Sequence, residues 1–210
     1  MSVPLLHVVA TDEVVAAEGF SGRATLLLEA CREDLALHLR LRNADGRTFY
    51  HLAADLSGIA RETGGWCVIN GRVDVALTAG AQAVQLGSGA LPVRAARSLV
   101  GHGVAIGVSV HTPDEALAAA AVGADYTIAG AVYATATHPG RSAAGPDLVG
   151  ACAEAGVPVV GIGGINKRNA QRVVAAGAMG VAVVRAVWSA PDPVAAAMEL
   201  VRRVRHRCLE

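Results

Sequence analysis

The chain has few aromatic residues, few charged residues and a single lysine, Lys167. Of its 210 residues 3% are aromatic and 17% are charged, and the charges cancel to a formal net of +0. No block of basic residues is present to follow a phosphate backbone, which argues against nucleic acid as a partner. No apolar run approaches the roughly 20 residues that a membrane-spanning helix needs, so a membrane is not expected either. Residues 1–10 lack the charged start and cleavage pattern of a signal peptide, and a cytoplasmic location is the expectation. Cysteine is sparse and scattered, at Cys31, Cys67, Cys152 and Cys208, with no Cys-x-x-Cys pair. That spacing predicts buried free thiols rather than zinc ligands or disulfides.

Abundant Ala, Val, Leu and Gly bring the apolar share to 53%, the composition of Val-rich parallel strands packed under Ala-rich helices. Eight short apolar runs read as strands: Leu5–Val9, Leu35–Leu41, Trp66–Ile69, Ala83–Leu86, Val104–Val108, Tyr126–Ile128, Val159–Ile162 and Val181–Val184. Helical stretches such as Pro113–Ala121, Asn166–Ala176 and Pro193–Val204 lie between or after them. Gly80, Gly123, Gly156 and Gly177 close helices just before strands. The region hardest to read is Asp12–Asp34, where Gly19–Gly22 is expected to interrupt the first helix. Eight repeated strand–helix units favour a closed barrel over an open sheet, so residues 1–210 are expected to form a single (β/α)8 TIM barrel.

Strand two departs from the apolar habit. In Leu35-Ala36-Leu37-His38-Leu39-Arg40-Leu41-Arg42 the leucines take one face while His38, Arg40 and Arg42 take the other. With the leucines under helices, the cations point toward the barrel mouth and call for an anionic ligand. The alternative is a solvated edge strand with an ordinary polar face. A second signal is Gly161-Ile162-Gly163-Gly164-Ile165-Asn166, which leaves strand seven and is expected to enter a helix directly. Backbone N–H groups at Gly163 and Gly164 can approach a phosphate closely, completed by Val184, Arg185 and Ala186 after strand eight. Tight turns also use paired glycines for steric reasons alone.

Several stretches together resemble the thiamine phosphate synthase and TenI (thiazole tautomerase) superfamily: Val68-Ile69-Asn70 with Asp74, Gly80 to Gly87, Leu91-Pro92, Ile106 to Ser109 with His111, Thr135-Ala136-Thr137, and Ile162 to Ile165. The resemblance implies a thiamine phosphate synthase-like barrel acting in thiamine biosynthesis on a small-molecule thiazole phosphate. It places substrate near Asn70, Gln85, Ser109, Thr135 and Thr137, and phosphate near Gly163, Gly164, Val184, Arg185 and Ala186, while the strand alternation adds Arg40, with Arg42 as second choice, as the partner of a substrate carboxylate. A homo-oligomer is compatible with the chain.

Within the superfamily, the synthase uses magnesium to hold a pyrophosphate leaving group, and its pattern has acidic residues where this chain has Gly71 and Ala90. Gln85 stands where the synthase has His, and His138 where it has Lys. Magnesium takes hard oxygen ligands, which Gly and Ala side chains lack. These four departures predict no metal, no other cofactor, and a chain closer to TenI than to the synthase, as an isomerase of a thiazole phosphate carboxylate. Ala131 replaces the family's tautomerase His, so His138, His38 and His111 become the candidate bases, with His138 first. The alternatives are a silent ligand-binding or regulatory barrel, and a synthase with an altered metal site.

Overall fold

The structure is a computed structural model and describes residues 2–135 and 143–205. Eight parallel strands form a closed barrel in sequence order: β1 Leu6–Thr11, β2 Leu35–Arg40, β3 Trp66–Asn70, β4 Ala83–Leu86, β5 Ala105–Val110, β6 Tyr126–Gly130, β7 Val159–Ile162 and β8 Gly180–Val183. The ring closes where β1 pairs with β8, Leu6 opposite Val181 and Val8 opposite Val183. This is the expected (β/α)8 TIM barrel, and the eight strands fall where the apolar runs lie, with ends shifted by a residue or two.

The helices are α1 Asp12–Ala16, α2 Phe20–Cys31, α3 Gly46–Thr63, α4 Val73–Thr78, α5 Val93–Val100, α6 Pro113–Ala121, α7 Asp147–Ala153, α8 Ala170–Ala175, α9 Arg185–Trp188 and α10 Pro193–Arg205. Two expectations about them need correction. Gly22 lies inside α2, and the break in this region falls at 17–19, where Gly19 adopts a left-handed φ of 72°. The helix after β7 begins only at Ala170, not at Asn166, because residues 166–169 form a turn in which the side chains of Asn166 and Asn169 bond to nearby backbone N–H groups. Such local side-chain bonds compete with helix formation.

Alternation along the strands divides the core in two. Leu35, Leu37 and Leu39 belong to the large cluster between sheet and helices. A smaller cluster of Ala36, Trp66, Val68, Ala83, Tyr126, Ile128, Val160 and Ala182 fills the lumen, so the barrel interior is packed rather than hollow. Trp188 in α9 donates from Nε1 to the Val9 carbonyl at 3.0 Å, tying the segment after β8 back to β1. Cys31, Cys67 and Cys152 are buried free thiols, as the spacing predicts, and Cys208 lies outside the described residues. Among the described residues no helix is long and apolar enough to cross a membrane.

Candidate functional site

The strands deliver their C-terminal ends to one open cavity of about 1260 Å³. Every described residue singled out from the sequence as a site candidate lines it: His38, Arg40 and Arg42 from β2 and the loop after it, Asn70 ending β3, Gln85 in β4, Ser109 and His111 at the end of β5, Thr135 after β6, and both glycine-turn segments. Thr137 and His138 lie outside the described residues.

The β2 alternation holds, with a different outcome for its first polar residue. His38 is completely buried, and burial pushes its imidazole down to about 4. It is therefore a neutral ring and not a cation at the mouth, which corrects the expectation from the strand pattern. Its Nε2 lies 2.8 Å from Nδ1 of His7, and its Nδ1 lies 3.1 Å from Oδ1 of Asn70. His7 is equally buried, and its Nε2 lies 3.2 Å from the Pro4 carbonyl. His7 was not among the sequence candidates. The signal was present, since it occupies the alternate position to Leu6 and Val8 on β1, opposite the polar register of β2.

Arg40 is half-buried and Arg42 exposed. The backbone N–H of Arg42 donates to Asp12 at 3.0 and 3.1 Å, and that of Asn43 does so at 3.0 Å, which fixes the loop carrying Arg42. Gln85 is 2% exposed and donates from Nε2 to Oγ of Ser109 at 3.0 Å. His111 is anchored through Nδ1 to the Gly130 carbonyl at 2.6 Å, while its backbone N–H donates to Glu115 at 2.6 Å. This places His111 on the cavity wall as a polar group held in one orientation.

The paired glycines have a geometric reason. Gly163 and Gly164 have φ of 104° and 63°, and a Cβ on either would lie 2.6–2.8 Å from the 131–134 segment. Neither N–H donates to a described acceptor. Two successive free N–H groups in a left-handed turn form an anion-binding concavity. Opposite them, α9 starts immediately after Val184, a short helix in the position where barrels of this kind add N–H donors. The donors here come from turn geometry and this short helix, not from α8, which begins six residues beyond Gly164.

Comparison with known proteins fits this geometry. A family model described as thiamine monophosphate synthase matches residues 14–187. The chain belongs to that family. A thiamine-phosphate synthase of Chlorobium limicola is 41% identical over 79% of this chain and 80% of its own length. One from Haloarcula marismortui is 42% identical over 90% and 87%. A bifunctional thiamine biosynthesis protein ThiM/ThiE of Symbiobacterium thermophilum is 48% identical over 73% of the chain, a match that spans only 32% of that longer protein. Among solved structures, thiamine phosphate pyrophosphorylase from Pyrococcus furiosus superposes with a TM-score of 0.83 at 35% identity, covering 96% of each chain.

These relatives overturn the lean toward TenI. The expectation of an isomerase, with synthase activity disfavoured, rested on four substituted positions, whereas the relatives matched over most of the chain are named for the synthase. The lost magnesium ligands are a property of this site, and they do not separate the chain from the synthase family.

The site does not fit a magnesium ion. Gly71 and Ala90 both line the cavity, and none of the described residues lining it is acidic. Among the described residues no group of three His, Cys, Asp or Glu side chains is placed to hold a metal. A synthase with relocated metal ligands, one of the sequence alternatives, therefore finds no support among the described residues.

Proposed function

We propose that the chain is a thiamine-phosphate synthase, a transferase joining a pyrimidine pyrophosphate to a thiazole phosphate with pyrophosphate as the leaving group. One observation carries this reading. A family barrel gathers Arg40, Arg42 and Arg185, together with the glycine cradle at Gly163 and Gly164, around one cavity with no acidic residue among the described residues that line it. Such a wall suits substrates that bring two separate phosphate groups. The glycine cradle and the start of α9 hold the thiazole phosphate through backbone N–H donors, while the β2 arginines face the pyrophosphate. Holding both in one cavity makes their joining effectively intramolecular, which is where positioning contributes most to rate. His111 and Ser109 line the same wall and orient the rings.

The test is direct. The purified chain is incubated with both substrates, and thiamine phosphate is measured by conversion to its fluorescent oxidation product. Formation at about 1 per second is expected, within the ordinary range for enzymes. Binding of both substrates without any product would overturn the reading.

A further inference from the structure

Arg40, Arg42 and Arg185 make no ion pair with any described residue, although the other cavity-facing charges of this chain are few. Arg40 is the most constrained of them. Desolvation, and then the neighbouring Arg42 charge, hold its guanidinium below the ordinary arginine value, and the Asp12 charge offsets this only in part. Two like charges in a partly desolvated wall are relieved by an anion placed between them.

Four carboxylates near this end of the barrel hold other partners. Asp12 accepts from the backbone of Arg42 and Asn43, and its charge also acts on Arg40 without forming an ion pair. Asp45 caps α3 through the N–H groups of Arg47 and Thr48. Asp74 is paired with Arg72 at 2.6 Å, and Glu115 accepts from the His111 backbone. None of the four lines the cavity. At Gly71 a Cβ would meet nothing within 4 Å, so the place where a carboxylate could project is open space. A divalent cation in this wall would face guanidinium groups without the several hard oxygens that it requires.

We propose that this site binds the pyrophosphate group without a divalent metal, with Arg40 and Arg42 supplying the counter-charge that a metal ion would otherwise give. The assignment of pyrophosphate rests on the synthase reading, whereas the metal independence rests on the composition and pairing of the cavity wall. Planar guanidinium groups hold phosphoryl oxygens through paired N–H donors, so they give geometry as well as charge.

The experiment titrates inorganic pyrophosphate into the protein by calorimetry, once with EDTA and once with magnesium, compared at equal free pyrophosphate. The two dissociation constants are expected to agree within about threefold, and Arg42→Gln is expected to weaken binding about tenfold or more in both. Arg42→Gln keeps the backbone N–H that Asp12 holds, and a thermal melt matching the parent shows that the fold is intact. Binding that requires magnesium, no binding in either buffer, or indifference to Arg42→Gln would each overturn the proposal. Turnover is measured in parallel. Product formed only with magnesium sinks the metal independence and leaves the synthase reading standing. Pyrophosphate binding in EDTA that depends on Arg42, with no product in either buffer, sinks the synthase reading and leaves the metal-free anion site.

Discussion

Nδ1 of His7 lies 2.8 Å from Nε2 of His38, two fully buried imidazoles joined inside the barrel below the cavity. The His38 ring is pushed down to about 4 by burial. His7 is held well below its usual value by burial first and by His38 second. Both rings are therefore neutral near pH 7. The unfolded chain takes up protons near pH 6.5, and the folded chain does not until about pH 4 for His38. Across that window the unfolded state binds more protons, so stability falls as the pH drops. Urea unfolding between about pH 7 and pH 4 should show a loss of about 3 kcal/mol from His38 alone, with His7 adding in the same direction. The carboxylates with lowered values, Asp12, Asp45, Asp74 and Glu199, contribute only near and below their ordinary 3.8 and 4.5. A flat profile from pH 7 to about pH 4.5 would refute the buried neutral pair.

The same chain of contacts fixes its tautomers. The Pro4 carbonyl only accepts, so Nε2 of His7 carries the proton and Nδ1 of His7 accepts from Nε2–H of His38. Nδ1 of His38 is then an acceptor and needs a donor, so the Asn70 amide, placed with Oδ1 toward His38, must turn over to present its NH2 there. Nitrogen NMR of the imidazoles should find both rings protonated at Nε2 and bare at Nδ1. A proton on Nδ1 of His38 would reverse the argument. Asn70→Leu should cost about 1–3 kcal/mol by leaving that nitrogen buried without a partner.

Much of this site was legible because strand alternation is a strict rule. The β2 pattern placed His38, Arg40 and Arg42 on one face, and all three line the cavity. Alternation gives direction without depth, however. It could not tell that His38 sits a full step deeper than Arg40, where a second ring from β1 meets it and water does not. His7 stayed hidden for the same reason: a lone histidine in an apolar strand shows its partner only once the register of β1 against β2, Val9 opposite His38, is known. The glycine pair was legible as a turn, but its neighbour, the 131–134 segment, lies some thirty residues away in sequence. The tautomerase reading failed for a different reason. It took missing metal ligands for missing chemistry, without weighing that unpaired arginines can carry the same charge.

Two glycines of this chain should respond to the same substitution with opposite sign. Gly22 lies exposed within α2, where a Cβ meets nothing within 4 Å and φ is ordinary. Gly22→Ala should stabilise the fold by about 0.4–1 kcal/mol by restricting the unfolded chain and favouring helix. Gly164 has φ of 63°, and its Cβ would stand 2.6 Å from the Ala134 carbonyl oxygen and 2.7 Å from Cβ of Tyr133. Gly164→Ala must therefore either strain the turn or push the 131–134 segment away, at a cost of about 1–3 kcal/mol. Moving the turn also moves its two free N–H groups, so affinity for a thiazole phosphate should fall about tenfold while inorganic pyrophosphate at the β2 arginines is little affected. Denaturant melts and calorimetry on both variants check this. A Gly164→Ala protein with parental stability and parental thiazole phosphate affinity would show that the turn neither carries strain nor holds the phosphate.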